Sequence, residues 1–235
     1  MRNFWLYIYA IFWLLGTVPA LLSLPRKKKV LSQQEYYAVS YGVGRRFGLA
    51  MLKFTGSSVS VSGLEKIPAG PVLFVSNHPS FFDIAVFLGH IPKMAGFIAK
   101  YEISKIPILK RWMLEYGCVF MDRSDIKKSA KAINDGIELL RSGHSQIIFP
   151  EGTRSQGREV LDFKAGSFKL ATKAKVPIVP ITIDGTYKIY ETGGGRVHAT
   201  DVQVYIHDPI DTVGLTNEEA VALPGVVRDL ICSKL

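Results

Sequence analysis

Cysteine is nearly missing from this sequence: Cys118 and Cys232 are the two thiols in 235 residues. Without a CxxC pair the chain offers neither a zinc ligand set nor a disulfide framework, and two lone thiols suit a reducing compartment. No GxSxG stretch occurs, which removes the serine nucleophile elbow. There is no repeat, no low-complexity tract and no clear linker beyond the basic run near residues 25–31. Charge is absent from residues 3–24, NFWLYIYAIFWLLGTVPALLSL, a run rich in Trp, Tyr, Phe and Leu. Acidic residues are also short, with 20 Asp and Glu against 29 Lys and Arg and a formal net charge of +9.

A basic balance favours anionic partners: nucleic acid, an acidic membrane face or a phosphorylated substrate. The 48% hydrophobic fraction supplies a core and excludes long disordered tracts. The length suits one substantial domain, or two.

The uncharged run separates those partners. About 20 apolar residues cross a bilayer core as a helix. The run exceeds the ~7–15 residues of a cleaved signal's apolar region. Pro25-Arg-Lys-Lys-Lys29 follows as the flank of a retained anchor. That basic flank suits anionic headgroups and places the following domain on the cytoplasmic side, at the inner membrane or, in a eukaryote, the ER. Gly16 and Pro19 can bend the segment into one leaflet, so spanning and half-inserted arrangements both stay open. A second helix over about 32–54 carries Arg45, Arg46 and Lys53, which exclude a simple span. Its apolar residues are expected against the bilayer surface. The basic run adjoins an anchor and no recognition motif is present, so nucleic acid is not expected as a partner.

The rest reads as α/β. Short β-type runs recur at Val72–Ser76, Gly96–Lys100, Cys118–Asp122, Gln146–Phe149, Ile178–Ile183 and Val202–His207. Helical patterns at 80–90, 107–116, 126–142 and 166–174 lie between them. The third carries a stripe of Ile126, Ala130, Ile133, Ile137 and Leu140. Thr216-x-x-Glu219 resembles a capping box for a last helix, which Pro224 limits or kinks. The expected architecture is a central mixed sheet flanked by helices over 55–235, preceded by a membrane-associated helical pair over 1–54.

VSNHPSFFDI, residues 75–84, poses the chemical question, because Asp83 stands among apolar residues and an unpaired buried carboxylate is costly. On a regular helix His78 and Asp83 would point about 140° apart. Pro79 disfavours the helical conformation at His78, so His78 belongs to a loop and the helix begins near Ser80. From that corner the imidazole can fold back onto Asp83. Two roles then stand side by side. Ser80-x-x-Asp83 resembles a capping box. Alternatively, Asp83 accepts the proton of one imidazole nitrogen and leaves the other as a general base. With no serine nucleophile in view, such a base would activate a hydroxyl brought by the substrate.

QIIFPEGTRS, residues 146–155, is a strand stopped by Pro150 and followed by a loop of Glu151, Gly152, Thr153 and Arg154. Gly152 permits a tight loop whose amides approach an anion, and Arg154 can grip phosphate with two parallel hydrogen bonds. Glu151 would orient Arg154, Thr153 or a backbone group rather than meet phosphate. An ordinary turn with a surface ion pair fits the same residues. Arg123, ending GCVFMDR, is a second candidate phosphate ligand, and Lys100 and Lys105 are candidate pocket lysines or merely solvated ones. Pro177 and Pro180 in KVPIVPITIDG suggest an edge strand or a bulge. That strand could line an acyl-chain groove or belong to a plain core. No metal site is expected.

Together these stretches resemble the glycerolipid acyltransferase family, in particular the 1-acyl-glycerol-3-phosphate acyltransferases, over about residues 60–185. NHPSFFD resembles the family's NHxxxxD motif, GCVFMDR its second block, FPEGTRS its third and VPIVPI its fourth, in the family's order. The resemblance implies His78 as base, Asp83 as its partner, and Arg123, Glu151, Gly152 and Arg154 at the acceptor phosphate. It implies that the sn-2 hydroxyl of lysophosphatidate attacks an acyl thioester, acyl-CoA or acyl carrier protein, to yield phosphatidate. No cofactor or metal is implied beyond that co-substrate, and membrane lipids are the surroundings. Pro79 departs from the pattern, since many members with this acceptor carry Gln or Val there. Another lysophospholipid or glycerol 3-phosphate as acceptor, and a non-catalytic module that binds anionic lipids, are the competing readings.

Overall fold

A computed structural model describes residues 2–235, with side chains from Phe4 onward. The uncharged run forms two helices, α1 (Arg2–Gly16) and α2 (Val18–Val30), bent at Thr17. Pro19 in the first turn of α2 withholds a backbone donor at the bend, and the Thr17 hydroxyl bonds back to the Leu14 carbonyl at 2.6 Å. Phe4–Val30 is long and apolar enough to cross a membrane. Helix α3 (Gln33–Thr55) begins in a capping box of Ser32 and Glu35 and ends at Gly56, whose φ of 76° is left-handed.

Seven strands follow: β1 (Ser58–Ser62), β2 (Leu73–Ser76), β3 (Ala95–Lys100), β4 (Val119–Met121), β5 (Ser145–Ile148), β6 (Ile178–Asp184) and β7 (Asp201–Ile206). The helices among and after them are α4 (Phe82–His90), α5 (Pro107–Glu115), α6 (Ile126–Arg141), α7 (Lys169–Ala174), α8 (Thr186–Ile189) and α9 (Asn217–Cys232). The sheet order is β1-β7-β6-β2-β5-β3-β4. Strands β6, β2, β5, β3 and β4 run parallel, and β7 is antiparallel to β6. The expected mixed sheet flanked by helices is therefore present. The loops leaving the carboxyl ends of five parallel strands share one edge, where open α/β sheets place their ligands.

Several expectations need correction. β1 has no counterpart among them, because SVSVS is an exposed edge strand whose valines are half-buried. The α6 stripe is shifted: Ile126 is 88% exposed, while Ala132, Gly136, Ile137 and Leu140 face the core. Pro180 lies in β6, inside the sheet, and the bulge half of the expectation is what appears. Ile178 pairs with Ile210 and Ile181 with Ile206, so three steps on one strand oppose four on the other. The VPIVPI strand is core, with Ile178, Val179, Ile181 and Ile183 almost fully buried. Helix α9 starts in the expected Thr216–Glu219 capping box and runs on through Pro224.

Helix α3 does not simply lie against a bilayer. It packs on α4, where the Gly48 Cα faces the Ala85 carbonyl and the Gly89 amide. Tyr36, Val43, Met51 and Leu52 are buried in the same cluster as Leu21 and Leu24 of α2, Phe87 of α4 and Phe74 of the sheet. Trp112 of α5 donates its indole N–H to the Thr17 hydroxyl at 2.8 Å, and Tyr9 stacks on Phe54 with ring centroids 4.9 Å apart. One continuous core thus joins the apolar helices to the sheet. Phe4, Trp5, Ile11, Phe12, Leu15 and Leu22 remain outside it.

A Cβ at Gly48 would stand 2.5 Å from the Ala85 oxygen and 2.8 Å from the Gly89 nitrogen, both backbone atoms. Gly48→Ala is therefore expected to cost about 1–3 kcal/mol through overpacking. Thermal melting would show it, and an unchanged Tm would mean that α3 and α4 are not held at this approach.

Candidate active site

His78 leaves β2 through Asn77, whose side chain bonds both backbone groups of Ile183 on β6, at 2.8 and 2.9 Å. That pairing fixes the end of β2. α4 begins at Phe82, two residues later than expected, so His78 to Phe81 form a corner. Within it, His78 Nδ1 lies 2.7 Å from Asp83 Oδ2. The same oxygen accepts the Ser80 amide at 2.9 Å, and Oδ1 accepts the Thr186 hydroxyl at 2.6 Å. Asp83 is completely buried, and three donors share its charge.

The two roles open from the sequence coexist on one carboxylate. The Ser80 amide bond is half of a capping box, but the Ser80 hydroxyl accepts from the Phe82 amide and donates to Glu191 instead of closing the other half. A carboxylate at Nδ1 sets the proton there and leaves the Nε2 lone pair free. Nε2 makes no hydrogen bond among the described residues, and the imidazole stacks on Phe149 with centroids 4.0 Å apart.

The loop after β5 meets this corner through Glu151. Its Oε1 accepts the His78 amide at 2.6 Å and its Oε2 the Leu161 amide at 3.0 Å, while the Ser155 amide bonds the His78 carbonyl at 2.9 Å. Of the partners expected for Glu151, the backbone is the one it takes. Burial raises its pKa, and the two amide donors act against that rise. Gly152 has φ of 77°, and the Lys164 side chain lies across it, with Nζ 2.6 Å from where a Cβ would stand. Thr153 is exposed. Arg154 turns away from Glu151, donates to Glu191 Oε1 at 3.0 Å, and lays its guanidinium over the Phe81 ring at 3.2 Å.

A second cationic group sits further along the same edge, at the ends of β3 and β4. Lys100 pairs with Glu102 at 3.0 Å. Hydrogen bonds from its own backbone and from Lys100 lower the pKa of Glu102, with a smaller pull from Lys105, and partial desolvation lowers that of Arg123 against the opposing charge of Glu102. Arg123 is exposed and makes no hydrogen bond or ion pair among the described residues. No bond joins this group to His78, Glu151 or Arg154. From β2 to β4 is three strand steps, about 14 Å at the usual ~4.8 Å spacing. His78, Asp83, Glu151 and Arg154 are thus one bonded cluster, and Lys100, Lys105 and Arg123 a cationic extension of it. Among the described residues no three His, Cys, Asp or Glu side chains gather as a metal site.

Four residues of the cluster escaped the sequence reading: Asn77, Lys164, Thr186 and Glu191. Asn77 and Lys164 had a signal, lying beside His78 and after the PEGTR loop. Thr186 and Glu191 had none, since they reach a corner more than 100 residues earlier in the chain.

Comparison with known proteins bears on the family of the whole chain. The Acyltransferase family model matches residues 58–184. A chloroplast 1-acyl-sn-glycerol-3-phosphate acyltransferase of Brassica napus is 40% identical over 64% of this chain and 44% of its own length. The chain thus spans less than half of that plant relative. A 1-acyl-sn-glycerol-3-phosphate acyltransferase of Borreliella burgdorferi is 31% identical over 78% of this chain and 74% of its own. The crystal structure of the 1-acyl-sn-glycerophosphate acyltransferase of Thermotoga maritima superimposes with a TM-score of 0.84 at 30% identity, covering 100% of this chain and 96% of that one.

Thr186→Val keeps the side-chain shape and removes one donor from a buried carboxylate. It is expected to cost about 1–3 kcal/mol of stability and to lower turnover, with Thr186→Ser restoring both. Melting curves alongside turnover would check this, and a Val variant as stable and active as the parent would show that Asp83 does not need the hydroxyl.

Proposed function

The chain belongs to the acyltransferase family, and from that premise we propose that it transfers an acyl group from a thioester to the sn-2 hydroxyl of 1-acyl-glycerol 3-phosphate, giving phosphatidate. The observation that carries the reading is the His78–Asp83 contact at the carboxyl edge of β2, with Nε2 free. His78 Nε2 takes the proton of the sn-2 hydroxyl as its oxygen attacks the thioester carbonyl. Asp83 stabilises the imidazolium so formed. When the tetrahedral intermediate collapses, the C–S bond breaks and the thiolate takes the proton, leaving phosphatidate and a free thiol. The step calls on no metal and no covalent acyl-enzyme. Acyl-CoA and acyl carrier protein both supply the required thioester.

The acceptor phosphate is assigned to Arg154, with its fork of donors, and to the Thr153 amide, while Gly152 shapes the loop, its own amide being bonded to the Phe149 carbonyl at 3.0 Å. Lys164, lying across Gly152, adds a positive charge there. Glu151 acts through backbone: it holds the phosphate loop and the His78 corner together. Arg123, Lys100 and Lys105 extend the positive field along the edge, where they draw in an anionic substrate.

The apolar helices are assigned to the bilayer, with the catalytic domain on the cytoplasmic face as the basic run at the end of α2 suggests. Half-insertion fits better than a span. Tyr7 of α1 meets Tyr190 at 3.3 Å, and Lys28 of α2 lies over the Tyr36 ring at 5.8 Å. Both ends of the segment thus rest on the one packed body that α3 forms with the sheet. A helix crossing ~30 Å of hydrocarbon would carry one end away from it.

Purified protein given lysophosphatidate with acyl-CoA or acyl carrier protein is expected to form phosphatidate, detected by chromatography of the lipid products. No phosphatidate from either donor would overturn the assignment. His78→Ala and Asp83→Asn are expected to lower turnover about 10²–10⁴-fold while melting cooperatively. Parent-like turnover in both would return the pair to a capping role.

A further inference from the structure

We propose that Glu191 is the positioning residue for the acceptor arginine, fixing Arg154 to the same corner that carries His78 and Asp83. The proposal rests on the reading of Arg154 as a phosphate ligand. Glu191 follows α8, and its side chain is only 2% exposed. Its Oε1 accepts from Arg154 Nη1 at 3.0 Å and from the Phe81 amide at 3.1 Å, while Oε2 accepts the Ser80 hydroxyl at 2.8 Å. A buried carboxylate needs such partners, and Arg154 is the cation that pairs with it.

This one side chain gathers three segments that are far apart in the chain. Arg154 comes from the loop after β5, Ser80 and Phe81 from the corner after β2, and Glu191 from the turn after β6. The guanidinium is held on two sides, by the carboxylate and by the face of Phe81. An arginine has five N–H donors, so the bond to Glu191 leaves others for a phosphate. A flexible arginine would have to be ordered by each incoming substrate, whereas a held one has already lost that freedom.

A carboxylate near a phosphate also repels it, so the two effects oppose each other. Both oxygens of Glu191 are occupied by donors and the side chain is buried, which leaves orientation as the larger effect. The same turn carries Thr186, bonded to Asp83. Six residues of chain, Thr186 to Glu191, therefore brace the base through one side chain and the arginine through another.

The test is a cycle of kcat and KM for lysophosphatidate. Arg154→Ala should raise KM at least tenfold, and Glu191→Gln should raise it about tenfold, as loss of a charge-assisted hydrogen bond would. In both, kcat should fall less than KM rises. The double variant should be no worse than Arg154→Ala alone, since Glu191 acts through the arginine. Glu191→Asp keeps the charge but is one methylene short. It too should raise KM, which a purely electrostatic role would not produce. Melting curves separate these effects from misfolding. A KM unchanged or lowered in Glu191→Gln, or effects that add in full in the double variant, would overturn the proposal. An unchanged KM in Arg154→Ala would instead overturn the assignment of Arg154 to the phosphate.

Discussion

The buried carboxylate of Asp83 is the constraint around which the site is arranged. A charge with no access to water must be met by donors, and three converge on it from different places: the His78 ring, the Ser80 amide and the Thr186 hydroxyl. Meeting that demand turns His78 out of helical register and sets the proton on its Nδ1. It also draws the turn after β6 against the start of α4. The local device is Pro79, which keeps His78 out of the helix and lets the imidazole fold back across a five-residue separation.

Around that point the parallel sheet does the gathering. β6, β2 and β5 are neighbours, so the turn carrying Thr186 and Glu191, the corner carrying His78 and the loop carrying Glu151 leave the sheet side by side. Two further carboxylates join them. Glu151 ties the corner to the loop after β5 through backbone amides, and Glu191 ties it to Arg154. A strongly basic chain thus uses acidic groups inside its site as fasteners, and leaves Lys164, Arg123 and Lys105 without an ion pair among the described residues. The division follows from burial: carboxylates saturated by donors can be interior, while cations meant for an anionic ligand must stay accessible.

The apolar helices belong to the same construction. Their inner faces complete the core through Leu21, Leu24 and the Trp112–Thr17 bond, and their outer faces leave Phe4, Trp5, Phe12 and Leu22 exposed. An exposed apolar patch of that kind is what a membrane surface covers. The Tyr7–Tyr190 contact brings α1 to within one residue of Glu191, so the face suited to lipid and the edge suited to phosphate adjoin.

Much of this is legible in the amino-acid sequence. Alternating apolar runs and helical periods gave the α/β order, because each strand of a parallel sheet is buried on both faces and reads as a continuous apolar run. Asp83 announced itself as a charge among apolar neighbours, and Pro79 told how His78 could reach it. The uncharged N-terminal run declared an apolar surface. What the sequence could not determine were contacts set by strand order. Glu151 could have served Arg154 or the backbone, and nothing local chose between them. Thr186 and Glu191 look like ordinary residues of a turn, and Ile126 looked like part of an apolar stripe until packing turned it outward. Local chemistry is written in neighbouring residues, whereas the partner of a buried charge is whichever group the sheet carries next to it, and only the tertiary structure decides that.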